Sequence, residues 1–285
     1  MTEILATIVQ LSVLVFVVGS MFSLGLSLTM QQIIDPLKNA RMIIMALVAN
    51  FVLVPALAYG LTILFNLDDT LSVGLILLST AAGAPFLPKL VDLAKGNIAF
   101  SVGLMVLLMV VTIIYLPLVL PLLLGDVDVS AWDIAQSLII MMLIPLAVGL
   151  FIKARYTEAA AKIQPTFGMA ANIALITLAV LGLVLNFSSM IALVGTRGIL
   201  AGIIFIIIAL IIGYFLGGSD PKDKSVMGLG TAQRNISAAL VVGAQNFSTD
   251  VITYLMVIAI ISLVILMPAA GEIGKRLQGA AETEQ

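Results

Sequence analysis

The 285-residue chain contains no cysteine and no histidine. Disulfides, thiolate nucleophiles, imidazole bases, haem ligation and Cys/His zinc sites are therefore excluded. Charge is scarce as well. Only 10% of the residues are charged, against about 25% in a soluble domain. The net charge of −2 offers no basic surface to a nucleic acid. What remains for chemistry is carboxylate, Lys, Arg, hydroxyl, amide and backbone, a set that suits binding and transport better than catalysis. The sequence shows no phosphate-cradling Gly loop, carboxylate dyad or metal-ligand cluster, so neither an enzyme activity nor a cofactor is expected.

Apolar residues, by contrast, make up 62% of the chain, and the mean hydropathy is +1.24. This composition predicts an all-α integral membrane protein surrounded by lipid bilayer. A span needs about 20 mostly apolar residues. Nine candidates lie at 4–29, 41–66, 70–94, 97–124, 132–153, 165–188, 198–217, 224–246 and 250–273. The opening MTEILATIVQ is acidic at Glu3 and leads into an apolar run reaching Met30, so it reads as the first span and not as a signal peptide. The polar end QGAAETEQ is expected to be loose.

The few charges are sorted by side. With the N-terminus outside, the inside loops carry Lys38, Arg41, Lys95, Lys153, Arg155, Lys162, Lys222, Lys224, Lys275 and Arg276. These are ten of the thirteen basic residues, while the outside loops carry only Arg197. Asp68, Asp69, Asp126, Asp128 and Asp250 fall outside. The bias predicts a multi-pass protein of the inner (plasma) membrane with a cytoplasmic C-terminus.

Two spans are not plain helices. LSVGLILLSTAAGAPFLPKLVDLAKGN (71–97) holds Gly83, Pro85 and Pro88 near its middle, and a proline removes a backbone donor and clashes with the preceding turn. SVMGLGTAQRNISAALVVGAQNF (225–247) holds Gly228, Gly230 and the polar block Gln233, Arg234, Asn235 and Ser237. The two lie five spans apart and so cross in opposite directions. Interrupted spans in matching places of two opposed halves point to an inverted-repeat transporter with its site where the breaks meet.

Arg234 is the strongest single signal. An arginine at mid-span costs about 2.5–3.5 kcal/mol on insertion scales, so it needs a wet cavity or a partner. Its guanidinium suits a carboxylate, held by two parallel hydrogen bonds. Thr231, Gln233 and Asn235 surround it and can serve unwound backbone or a ligand. Backbone amides near Ala84 add donors. Lys89 would open the second half-helix after Pro88, where the partial positive charge suits an anion, or it pairs with Asp92. Asn50 lies mid-span ahead of Pro55 and could instead bond a neighbouring helix. Ser79 and Thr80 are expected to bond back to their own helix. Gln245 and Asn246 read as interface residues.

Three stretches resemble the bile acid:sodium symporter family: MFSLGLSLTMQQI (21–33), LAKGNIAFSVGL (93–104) and TAQRNISAALVVGAQNF (231–247). The resemblance implies two discontinuous crossover helices, a core domain mainly at 41–124 and 198–273, and a panel domain mainly at 4–30 and 132–188. It also implies alternating access for organic anions such as bile acids, sulfated steroids or small carboxylates. Some members have ten spans; this chain resembles a nine-span form lacking the first.

The family's sodium ligands are largely replaced here. In the ungapped register, its Ser-Asn pair falls on Leu87 and Pro88, its following Thr on Val91, its Glu on Gly230 and its Gln on Arg234. Another Gln falls on Asn50, and only Asn235 is kept. Leu, Pro, Val and Gly side chains offer a hard cation no oxygen. The expectation is therefore a sodium-independent carrier of a small organic anion in which Arg234, with Lys89, replaces the sodium ions. Two alternatives stay open: a sodium- or proton-coupled symporter using backbone oxygens or Asp92, and a membrane anion sensor that transports nothing.

Overall fold

The computed structural model describes residues 2–124, 130–185, 193 and 195–283. Asp126 and Asp128 lie outside this set. Among the described residues every regular element is a helix: α1 (Thr2–Ser27), α2 (Met30–Ile34), α3 (Ala40–Leu64), α4 (Asp69–Thr80), α5 (Leu87–Leu93), α6 (Ile98–Leu124), α7 (Ala131–Arg155), α8 (Thr157–Leu185), α9 (Arg197–Leu216), α10 (Pro221–Ala232), α11 (Ile236–Asn246) and α12 (Thr249–Thr283). Six are long and apolar enough to cross a membrane: α1, α3, α6, α7, α9 and α12. The other three expected spans are the two interrupted ones and that at 165–188, whose last three residues lie outside the described set. Of the polar end QGAAETEQ, residues 278–283 continue α12, which runs on to Thr283. A Glu272–Arg276 pair at i,i+4 and strong helix formers such as Ala280 and Ala281 carry it beyond the apolar run.

The two interruptions are real breaks. The first half-helix, α4, stops at Thr80, three residues ahead of Gly83. Proline chemistry explains the distance. Pro85 has no N–H to offer the carbonyl four residues back, so Ala81 O must find another donor. That donor is the backbone N–H of Asn235, at 2.9 Å, inside the second break. The two breaks therefore complete each other. Asn235 Nδ2 also donates to Gly83 O at 3.0 Å, while its Oδ1 caps α11 by accepting from Ala238 N at 3.1 Å. Ala82 is served from a third helix: its N–H donates to Thr112 Oγ1 at 2.9 Å, and that hydroxyl donates to Ala82 O at 3.1 Å. At Gly83, φ is +79°, and a Cβ there would collide with the Met109 backbone of α6. Only glycine lets the break lie this close to α6.

The long helices pack around this crossing. Helix α1 lies against α7 and α8, and α9 lies along α10. Gly25 on α1 and Gly149 on α7 meet backbone to backbone, and a Cβ on either would strike the other helix. Gly25 thus serves a contact within the chain. A π turn, Ala49–Leu53, interrupts α3 just ahead of Pro55. Phe51 O loses the donor that residue 55 would have supplied and accepts instead from Tyr115 OH, at 2.6 Å. The turn carries Asn50 into the buried interior.

Candidate functional site

Arg234 sits between the two breaks and is only 4% exposed. Among the described residues its guanidinium meets no carboxylate. Nη2 donates to Ser79 O at 2.6 Å and Nε to Leu78 O at 3.3 Å, both in the last turn of α4. Nη1 donates to Thr231 O, in the last turn of α10, at 3.1 Å, and to Asn50 Oδ1 on α3 at 2.7 Å. The carbonyl ends of two half-helices carry partial negative charge, so a cation held between them is favourably placed. These contacts use four of the guanidinium's five N–H groups, where the sequence suggested a carboxylate. Four neutral oxygens from three helices form the nest.

Asn50 and Thr231 support that nest from behind. Asn50 Nδ2 donates to Ala46 O at 3.0 Å and to Thr231 Oγ1 at 3.3 Å. Ser79 and Thr80 hydroxyls bond back to their own helix, to Ile76 O and Leu77 O. It is the backbone of Ser79, not its side chain, that reaches Arg234.

A cavity of about 470 Å³ opens beside the crossing. Ala84, Gln233 and Arg234 line it, together with Pro85, Ser237, Ser262 on α12, Phe16 and Ser20 on α1, and Asn172 on α8. The remaining walls are apolar, among them Leu175, Ile206, Leu240 and Met256. Three buried polar atoms of these side chains, Gln233 Oε1, Ser237 Oγ and Ser262 Oγ, have no hydrogen-bond partner among the described residues. Each such atom costs about 1–3 kcal/mol when left unmatched. A smaller cavity of about 210 Å³ adjoins this one through Ser20, Pro85 and Asn172, and continues past Ser23, Ser27 and Gln164.

The residues expected at the site separate into three groups. Gln233, Arg234 and Ala84 line the cavity. Asn50, Thr231 and Asn235 lie behind it, holding Arg234 and the crossing. Lys89 does neither. It is exposed, with its ammonium 5.6 Å from the Phe86 ring centroid. The ion pairs among the described residues are Lys38–Asp35 and Arg276–Glu272, so Lys89 and Asp92 are not joined. Nothing in the sequence marks Thr112, Ser262 or Asn172. A lone hydroxyl or amide in an apolar span carries no pattern that marks it.

The sequence pattern of the sodium bile acid symporter family matches residues 13–194. The match covers α1 to α8, with the first broken helix, and ends before the second. Over 143 residues the chain is 25% identical to the uncharacterized sodium-dependent transporter YocS of Bacillus subtilis (strain 168), covering 50% of this chain and 44% of that protein. Over 153 residues it is 27% identical to the probable sodium/metabolite cotransporter BASS2, chloroplastic, of Oryza sativa subsp. japonica, covering 52% and 36% respectively. The chain thus spans less than half the length of either relative. The family pattern takes in well over half of this chain, including the broken helix that Asn235 completes, and the chain belongs to the sodium bile acid symporter family, a family of transporters and not of enzymes.

Proposed function

We propose that this protein is a secondary transporter that moves a small organic anion by alternating access, independently of sodium. In this reading it crosses the membrane nine times as an inverted repeat. The halves comprise the segments before and after α7, the N-terminus is outside, and the protein lies in the plasma membrane. A core, mainly 41–124 and 198–273, moves against a panel, mainly 4–30 and 132–188. The substrate occupies the cavity beside Gln233, Arg234 and Ala84.

One observation carries the sodium independence: the oxygen nest of Leu78, Ser79, Thr231 and Asn50 is already filled by the Arg234 guanidinium. Such an all-oxygen cluster is what a hard cation would take. A second cation about 4 Å away would meet a repulsion of about 4 kcal/mol at an effective dielectric of 20. Arg234 thus supplies permanently the positive charge that a mobile cation would bring, and it favours an anion in the cavity through space and through its remaining N–H. Lys89 is too exposed in this conformation to contribute equally.

Both relatives, one named a sodium-dependent transporter and the other a probable sodium/metabolite cotransporter, favour a second reading, in which sodium is co-transported. One experiment separates the two. Melting temperature is measured in NaCl and in choline chloride at matched ionic strength, with a panel of organic anions, for the wild type and for Arg234→Gln. Folded-state ligands stabilise by mass action. The expected result is that anions stabilise the wild type equally in both salts, that Arg234→Gln weakens the anion effect, and that this variant gains a saturable response to sodium. Saturable stabilisation of the wild type by sodium would establish the coupled reading instead.

A further inference from the structure

We propose that Asn97 is a positioning residue for the transport site. By holding Asp223 at the base of α10, it sets the height of that half-helix, and with it the Thr231 carbonyl that grips Arg234. The role of the site rests on the transport reading above.

Helix α5 ends in a knot that faces α10. The N–H of Lys95 donates to Asp92 O at 3.1 Å and that of Gly96 to Val91 O at 3.0 Å, the paired bonds of a Schellman stop. Lys95 takes the left-handed position of that motif, at φ +53°, where glycine is usual. The glycine stands one residue later, because a Cβ on Gly96 would strike Ser225 Oγ on α10. The first turn of α10 thus lies against bare backbone. Asn97 follows and bonds in two directions. Its Oδ1 accepts from Phe100 N at 3.1 Å and caps α6, while its Nδ2 donates to Asp223 Oδ1 at 2.9 Å. The knot is backed by α12, where a Cβ on Gly274 would strike Leu93 O.

Between this base and the crossing, α10 presents Val226, Met227, Gly228, Leu229 and Gly230, all buried. Apolar packing fixes how closely a helix approaches its neighbours, and directional hydrogen bonds fix its register along them. Among the described residues, the hydrogen bonds from α10 to other elements are at its two ends. Asp223 meets Asn97 at the base, and Thr231 meets Asn50 and Arg234 at the crossing. From Asp223 to Thr231 the helix rises about 12 Å. A shift of α10 at its base is therefore passed along one helix to the Thr231 carbonyl.

The pair can be inverted without losing the cap on α6. In Asn97→Asp the carboxylate still caps α6 but faces Asp223, so two acceptors meet and the clasp is lost. In Asp223→Asn the amide oxygen still accepts from Asn97. In the double variant, Asn97→Asp with Asp223→Asn, the amide at 223 donates to the carboxylate at 97, and the clasp returns with donor and acceptor exchanged. The readout is Arg234 itself, by NMR of the full chain labelled with nitrogen-15 at arginine, its signals assigned by their loss in Arg234→Gln. Two Nη atoms held on different acceptors give two separate resonances, and a guanidinium free to turn gives one averaged resonance. The wild type and Asp223→Asn should show two, Asn97→Asp one, and the double variant two again. Ser130→Ala, which removes the cap of α7, should leave both in place and so separates the clasp from a general loss of stability. One resonance in the wild type, the double variant or Ser130→Ala, or two in Asn97→Asp, would overturn the inference. If Asn97→Asp yields no folded protein, the double variant decides: folded with two resonances it upholds the clasp, and unfolded it overturns it. If no organic anion stabilises the wild type while these spectra behave as expected, the transport reading falls and the positioning of Arg234 by Asn97 stands.

Discussion

Arg234 Nη1 donates to Asn50 Oδ1 at 2.7 Å, joining residues 184 positions apart in the chain. The bond is fully buried, and it ties the π turn of α3 to the break between α10 and α11. It also explains why the π turn is tolerated. An α-helix running unbroken through residue 50 would rotate Asn50 relative to its present direction, and the guanidinium would lose its one side-chain partner.

The pair should therefore behave as a unit. A hydrogen bond to a buried charged group contributes about 1.5–3 kcal/mol, so Asn50→Ala should lower the melting temperature clearly. Asn50→Asp keeps the acceptor and adds a countercharge, and should retain or raise it. Arg234→Gln leaves the Leu78, Ser79 and Thr231 carbonyls short of a donor and should cost about 1–3 kcal/mol for each one left unmatched. In the double variant the costs should fall short of their sum by about 1–3 kcal/mol. Additive costs, measured by thermal melts of all four proteins in one detergent, would show that the two residues act separately.

Thr112 supplies both donor and acceptor to Ala82 in the first break. Thr112→Val keeps the shape and removes both bonds. Two buried backbone groups then go unmatched, at about 1–3 kcal/mol each. The prediction is a large fall in melting temperature for Thr112→Val and near-recovery for Thr112→Ser. A Val variant that melts like the wild type would show that the break is held by Asn235 alone.

Gly83 and Gly60 make an internal control. At Gly83 the positive φ costs a non-glycine residue about 1–2 kcal/mol, and the Cβ would also strike Met109 of α6. Gly83→Ala should fold poorly, with low yield and an early melt. Gly60 lies inside α3 with nothing within 4 Å of a Cβ. There Ala should stabilise by about 0.5–1 kcal/mol through helix propensity. Opposite signs are expected in the same thermal assay.

These residues also show which parts of the molecule the sequence makes legible. Gly83, Pro85 and Pro88 announce the first break, because missing donors and open φ values are properties of the residues themselves. The polar block around Arg234 announces the second, because no lipid-facing helix would carry it. What fills the breaks is invisible beforehand. Arg234 invites a carboxylate from its chemistry, yet three of its four partners are backbone carbonyls, those of Leu78, Ser79 and Thr231, and every residue has a carbonyl. Thr112 and Ser262 are single hydroxyls in apolar runs with no periodicity to mark them. Lys89 looked like part of the site because Pro88 starts a half-helix there, but helix rotation, which spacing alone does not fix, turns it outward over Phe86.

Access to the central cavity provides the last prediction. The smaller cavity continues from Ser20 past Ser23 to exposed Ser27, toward the end of α1 that is followed by Lys38 and Arg41. On the far side, Ser137 of α7 donates to Gln245 at the end of α11. In the proposed orientation the first feature faces the cytoplasm and the second the exterior, so this conformation is open inward and closed outward. Because the chain has no cysteine, each introduced thiol is unique. A membrane-impermeant thiol reagent should label Ser27→Cys in inside-out vesicles and not in right-side-out ones. Oxidising the pair Ser137→Cys and Gln245→Cys should hold the outer side shut, stopping transport while Ser27→Cys stays reactive. Labelling of Ser27→Cys from the exterior alone would reverse the orientation. Undiminished transport through the cross-linked protein would show that the Ser137–Gln245 contact is not part of the outer closure.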